Sequence, residues 1–310
     1  MQKQLRLLGI MAIALGLFVT SCKKETASTD DSAELKVQSD DQARFNNETD
    51  AATNDANTAL ENMGGSYNGE TPATPLLPAI CDATVTVDTA SNPRTITLTY
   101  NGQNCFGPRT RTGSIVISFA PGFRWNQPGA TYSVTYQNLK ITRVSDNKSI
   151  TINGTKSIKN VTGGRLRNLA QSGTSLVHEV TSSGLTVTFD NGTQRSWQVA
   201  RRRTFTYNNG IVTTVEGIAP QGGGIAEWGT TRFGSSFTCA ITQPLVFKQS
   251  CNFRLVSGQI THTRAAYTTV TTFGLDSNGT PVDTCPIGVF YFKVVWTGPN
   301  GNSVTYIAPY

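Results

Sequence analysis

Short runs of strict alternation dominate the chain from residue 80 onward. "TITLTY" (95–100) sets Ile96, Leu98 and Tyr100 on one side of an extended backbone and Thr95, Thr97 and Thr99 on the other; "SIVISF" (114–119) repeats the rhythm with Ile115, Ile117 and Phe119. A period of two marks a strand with one buried and one wetted face. Gly, Asn and Pro separate the runs, and hairpin turns are expected at Asp190-Asn191-Gly192, Asn208-Asn209-Gly210 and Asn278-Gly279. "VFYFKVVW" (289–296) is apolar on both sides and is expected to be a central strand covered on both faces. The pattern predicts an all-β fold over residues 80–310, an antiparallel meander arranged as a sandwich or a barrel-like domain. A faint echo links Val134-Thr135-Tyr136 and Ile150 to Gly154 with Phe205-Thr206-Tyr207 and Val212 to Gly217; it fits two related β modules or one long meander, and fits coincidence equally.

Upstream the pattern changes. Lys3 and Arg6 precede an apolar run from Leu7 to Val19, which as a helix spans only ~20 Å against a hydrocarbon core of ~30 Å. A short apolar run with a basic start predicts a signal peptide over residues 1–21, and no later stretch approaches the ~18 consecutive apolar residues of a spanning helix. Residues 22–79 read as an acidic tether, with few large apolar residues before Leu76. Within it Ser39 and Gln42 form a capping-box pattern, Phe45, Ala52, Ala56 and Leu60 share a stripe, and Gly64 is a stop signal. A helix is expected at about 40–61, weakly docked or isolated because its apolar stripe is thin. Charge sharpens the division: residues 23–80 hold 4 Lys/Arg and 11 Asp/Glu, a net −7, whereas the chain from Cys81 holds 20 against 9, a net +11.

An exported chain meets an oxidising compartment, where disulfides persist. Cys81 and Cys105 stand symmetrically about Asn92-Pro93, the expected turn of a hairpin, and are predicted to bridge its open end. Among Cys239, Cys251 and Cys285, a local hairpin about Pro244 would pair Cys239 with Cys251. The spacing holds no CxxC and the chain only two His, so no metal site is expected from the cysteines.

Val19-Thr20-Ser21-Cys22 resembles the lipobox of bacterial lipoproteins. The resemblance implies that Cys22 carries lipid and begins the mature chain, anchored to the membrane by acyl chains worth ~0.8 kcal/mol per buried CH₂. Lys23 stands where lipoproteins retained at the inner membrane often carry Asp, which implies the outer membrane; Lys23-Lys24-Glu25 loosely resembles the surface-export signal of Bacteroidetes-type bacteria, so the protein is surface-exposed or periplasm-facing. "CDATVTVD…TITLTY…CFGPRTRTGSIVISF", then "PLVFKQSCNFRLVSGQI" and a late cysteine, resembles Bacteroidetes-type outer-membrane lipoproteins. That likeness implies a Cys251–Cys285 pair and no particular chemistry. With Cys22 lipidated, five cysteines remain and one thiol stays free. Asp31-Ser32-Ala33 and Asp88-Thr89-Ala90 resemble the O-glycosylation motif of the same bacteria, naming Ser32 and Thr89 as acceptors.

Candidate chemistry is sparse. "RSWQVARRRTFTY", if extended, aligns Trp197, Arg201, Arg203, Phe205 and Tyr207 on one face. Aromatic rings interleaved with guanidinium groups stack on sugars and hold phosphates or carboxylates. In an envelope protein the matching ligand is an anionic glycan or a surface protein rather than nucleic acid. The competing reading sends the rings into the core and leaves the Arg residues to balance the acidic tether. His178 beside Glu179 would point to opposite faces of a strand; Glu216 with Glu227 is the candidate pair for glycoside hydrolysis; Asp276, Asn278 and Asp283 form a calcium-like loop without EF-hand spacing. No catalytic motif is present and no cofactor is implied. The sequence therefore leans towards a lipid-anchored envelope protein with a basic β domain for non-enzymatic binding or adhesion; a carbohydrate-active hydrolase and a structural envelope component are the alternatives.

Overall fold

The computed structural model describes residues 29–62, 80–104, 109–251, 253–265, 267–282, 284–285, 289–299 and 301–310. The expected signal peptide, Cys22, Cys105 and Asp283 lie outside these residues. A long helix, α1 (Thr29–Asn62), precedes the strands β1 (Ala83–Asp88), β2 (Arg94–Gln103), β3 (Arg109–Phe119), β4 (Ala130–Arg143) and β5 (Ser149–Asn160). A four-residue helix, α2 (Leu169–Ser172), leads to β6 (Leu176–Phe189), β7 (Gln194–Tyr207), β8 (Ile211–Gly217), β9 (Ile225–Thr230) and β10 (Ser236–Lys248). The chain closes with β11 (Arg254–Arg264), β12 (Tyr267–Leu275), β13 (Tyr291–Thr297) and β14 (Ser303–Pro309).

The fourteen strands among the described residues form one antiparallel sheet in chain order from β1 to β14, apart from β8 and β9. These two share the slot between β7 and β10: β8 faces Arg201 to Tyr207 and β9 faces Ser196 to Val199 of the same strand. They lie end to end, separated by a loop whose Ala219 N–H returns to Ile225 O at 2.9 Å. The architecture is thus one long meander. The expected turns fall between strands: Asp190-Asn191-Gly192 joins β6 to β7, Asn208-Asn209-Gly210 joins β7 to β8, and Asn278-Gly279 follows β12. "VFYFKVVW" is not central; β13 is next to the β14 edge, and Tyr291 to Lys293 remain half-buried. Its apolar residues reflect an incompletely covered end of the sheet rather than a doubly covered middle.

Alternation does not run unbroken. On β4, Tyr132, Val134 and Tyr136 point inward at even positions, then Leu139 and Ile141 at odd ones. A bulge at Gln137–Asn138, with Asn138 at φ 50°, absorbs the extra residue and keeps both halves facing the core. The neighbouring strand leaves room for it at Gly113, where a Cβ would sit 2.1 Å from Asn138 O. β6 makes the same change between Val180 and Leu185.

The inward face closes on α1. No Gly or Pro interrupts Thr29–Asn62, so no helix breaker falls within it. The helix begins eleven residues before the expected start, and it is not a free spacer: Phe45, Ala52, Ala56, Ala59 and Leu60 join the core made by Ile96, Leu98, Ile115, Ile117 and Trp197. Burying an aromatic or aliphatic side chain of this size contributes roughly 1.5–3 kcal/mol. Only the carboxyl half of the buried stripe is apolar. Its amino half is Gln38, Asp41, Gln42, Arg44 and Glu48, all buried, which is why the stripe looked thin.

Candidate functional site

The β7 strip that promised an external ligand faces α1. The rings of Phe45 and Trp197 stack with centroids 3.7 Å apart, and Trp197 Nε1 donates to Glu227 Oε2 at 2.8 Å. Arg201 pairs with Glu227, donates to Asn46 Oδ1 at 3.0 Å and lies 3.7 Å from Asp50. Arg203 donates to Asp50 at 2.5 Å, and Phe205 packs against the buried His178. Of the five strip residues Tyr207 alone is exposed, at the strand end. The anionic partners of these cations are carboxylates of the same chain, Glu227 and Asp50.

The pattern extends along the whole seam. Asp55 receives Arg111 at 2.6 Å, with Asp82 on the other side of the guanidinium; Glu48 receives Arg109 at 2.5 Å, Asp40 receives Arg143 at 3.0 Å and Asp41 receives Arg232 at 2.8 Å. The acidic tether and the basic β domain are the two sides of one interface. Burial pushes the Asp41 and Glu48 carboxyls up despite their Arg partners. Burial would also raise Asp50, but Arg203, Arg201 and Lys156 together hold it below its ordinary value. Lys156, inside the sheet above the Phe45 and Tyr136 rings, is lowered to about 7 by burial, reinforced by Arg201 and Arg203 and opposed by Asp50.

The catalytic candidates separate. His178 is buried between Trp125 and Phe205, its Nε2 has no hydrogen-bond partner among the described residues, and burial lowers its pKa to about 4. Glu179 lies on the outer face, paired with Arg202 at 2.8 Å. Glu216 sits opposite outward-facing Arg202, while Glu227 sits opposite inward-facing Val199 and is buried at 1% exposure. The two carboxylates therefore face opposite sides of the sheet and cannot flank one glycosidic bond. Asp276 Oδ1 accepts from the N–H groups of Asn278 and Thr280 at 2.8 and 2.9 Å, so its carboxylate closes a turn.

Cys251 bridges to Cys285 with Cα atoms 5.4 Å apart, so the local Cys239–Cys251 pair does not form. β10 carries Cys239 on its inward face, where burial raises the free thiol to about 11. Cys81 is disulfide-bonded, while its expected partner Cys105 is outside the described residues. Ser32 falls within α1 rather than in a spacer. Thr89 is exposed in the β1–β2 turn, where Asp88 Oδ1 accepts from Ala90 and Ser91 N–H at 2.9 and 3.1 Å.

What the sequence did not reveal is the outer face. Register places Thr95, Ser118, Ser133, Ser157 and Thr181 side by side across β2 to β6. A parallel row runs Thr86, Thr97, Val116, Thr135 and Thr155, with the last two hydroxyls 3.0 Å apart. Strand spacing sets these side chains about 4.8 Å apart along a row and the rows about 7 Å apart. At one end a groove of about 350 Å³ is lined by Asn92, Ser118, Thr131, Tyr132, Ser133 and Ser157, among others. The Thr and Ser residues were visible in each strand, but their alignment into rows depends on register across five strands. Comparison with family models, curated proteins and solved structures returned no match.

Proposed function

We propose that the protein is a lipid-anchored cell-envelope protein that binds a hydroxyl-rich glycan on its outer sheet face without chemically transforming it. The observation that carries this reading is the uncharged hydroxyl array of β2 to β6 with the groove at its end. A hydroxyl both donates and accepts, so rows of Ser and Thr meet sugar hydroxyls in either polarity. An anionic ligand has less support than the strip suggested, because Asp50 and Glu227 already engage Arg201 and Arg203. Anchoring rests on the lipobox resemblance at Cys22.

The test is retention of the protein on envelope polysaccharide at rising salt, alongside Ser133→Glu and Ser157→Glu. Hydroxyl recognition predicts retention that survives 0.5 M salt and is lost in both variants. Salt-sensitive retention, or retention indifferent to both substitutions, would overturn the assignment of the ligand to this face. Membrane fractionation of Cys22→Ala tests anchoring separately: the variant leaves the membrane pellet if Cys22 carries the lipid.

A further inference from the structure

The chain has four tryptophans, and three of them belong to buried surroundings: Trp125, Trp197 and Trp296 are at most 8% exposed. Each meets another ring, at Tyr132, Phe45 and Tyr267 respectively. Trp228 is different. It is half-buried, and its indole has no ring, cation or hydrogen-bond partner among the described residues. Its neighbour Glu227 points inward to Trp197 and Arg201, so alternation along β9 turns Trp228 to the outer face.

Register sets this indole in a patch of shorter side chains. Gln198 of β7 and Thr238 of β10 stand opposite it on either side. One step along the strands, Ser196, Thr230 and Ser236 form the next row, with the first two hydroxyls 2.8 Å apart. In the other direction Ala200 and Ala240 keep the surface low. Beside them the β8–β9 loop makes a ledge: Ile218 N–H donates to Ala200 O at 3.0 Å, and Ala200, outward by alternation, is only 4% exposed. Neighbouring strands lie about 4.8 Å apart and successive outward residues about 7 Å apart, so the flanking polar groups ring the indole closely. None of these positions carries a charge.

We infer that Trp228 is the stacking platform of a second sugar site, which takes a neutral pyranose ring and bonds its hydroxyls through Gln198 and Thr238. A pyranose presents C–H groups on its faces and hydroxyls around its rim. The electron-rich face of the indole meets the first. The Gln198 amide and the Thr238 hydroxyl, each able to donate and accept, meet the second. The absence of charge from the patch selects a neutral sugar over an anionic one. A stacked nucleotide would bring a phosphate, for which Gln198, Thr238 and the Ser196 row offer no cation. The inference rests on the glycan reading above for the class of ligand alone, and it uses none of the residues of β2 to β6.

The test is isothermal titration calorimetry of the full chain with cellotetraose and maltotetraose, in low and high salt, with adenosine monophosphate as the comparison. Saturable binding of at least one tetrasaccharide, unaffected by salt, is expected. Trp228→Ala should weaken it at least tenfold, and Trp228→Phe, which keeps a ring, by less. Gln198→Ala and Thr238→Ala, which remove no packed ring, should each weaken it several-fold with unchanged circular dichroism. Ser133→Glu should leave the titration as it is, which separates this site from the face of β2 to β6. Three results would each overturn the inference: no binding of either tetrasaccharide, binding indifferent to Trp228→Ala, or tighter binding of the nucleotide than of both sugars. Binding lost in Ser133→Glu but kept in Trp228→Ala would overturn it while leaving the earlier reading standing.

Discussion

His178 offers a direct measure of how closely the sheet closes on its contents. The imidazole is 3% exposed, lies between Trp125 and Phe205, and has a folded pKa of about 4 against an ordinary 6.5. A base whose folded pKa is depressed stays neutral in the native state while the unfolded chain takes up a proton. Stability is therefore lost as pH falls from the unfolded value towards the folded one. At pH 5 the unfolded imidazole is about 97% protonated and the folded one about 10%, and integration from pH 7 gives a loss of about 1.8 kcal/mol from this residue. His178→Phe keeps a flat ring in an apolar slot and removes the unpartnered nitrogen. The variant should lie within about 1 kcal/mol of the parent at pH 7 and gain about 1.8 kcal/mol on it at pH 5. Because both proteins share every other titrating group, the difference between them isolates the imidazole. Urea unfolding followed by tryptophan fluorescence at the two pH values gives the number. A difference independent of pH would refute the reasoning, since it would mean that His178 protonates in the folded state as readily as in water.

Three other outcomes follow from the same seam and its staples. Phe45→Ala removes the ring stacked on Trp197 and should cost about 3–5 kcal/mol in chemical denaturation; a cost under 1 kcal/mol would mean that α1 is not part of the core. Lys156, at about 7 against 10.5 unfolded, makes the native state bind fewer protons between those values, so stability should rise with pH at up to about 1.4 kcal/mol per unit. Lys156→Met should flatten that slope, as measured by thermal unfolding at pH 7.5 and 9. Cys251→Ser opens a bridge between residues 34 apart and should cost about 4 kcal/mol in the chain-entropy account, read from urea midpoints under oxidising and reducing conditions.

The strands and most turns were legible because their causes are local. Period-two alternation in "TITLTY" is visible within six residues, and Asn-Gly turns need only residues that tolerate positive φ. The bulge at Gln137–Asn138 was not legible as such, since one extra residue simply looks like an interrupted pattern until Gly113 of the next strand makes room for it. The outer hydroxyl rows were half legible: each strand displays its Thr and Ser, but only pairing places Ser118, Ser133 and Ser157 next to one another.

The sequence by itself determined the fold class, the acidic and basic halves of the chain and the presence of a helix near Phe45. Tertiary structure alone decided what the halves do to each other. An acidic helix with a polar stripe looks solvated until Arg201 and Arg203 of β7 and Arg232 of the β9–β10 turn are brought over Asp50 and Asp41 from about 150 residues or more away. Those Arg residues look like an open ligand strip until the helix occupies it. Neither is informative alone, because a buried charge is tolerated only when its partner is in place, and which partner that is depends on contacts between distant parts of the chain.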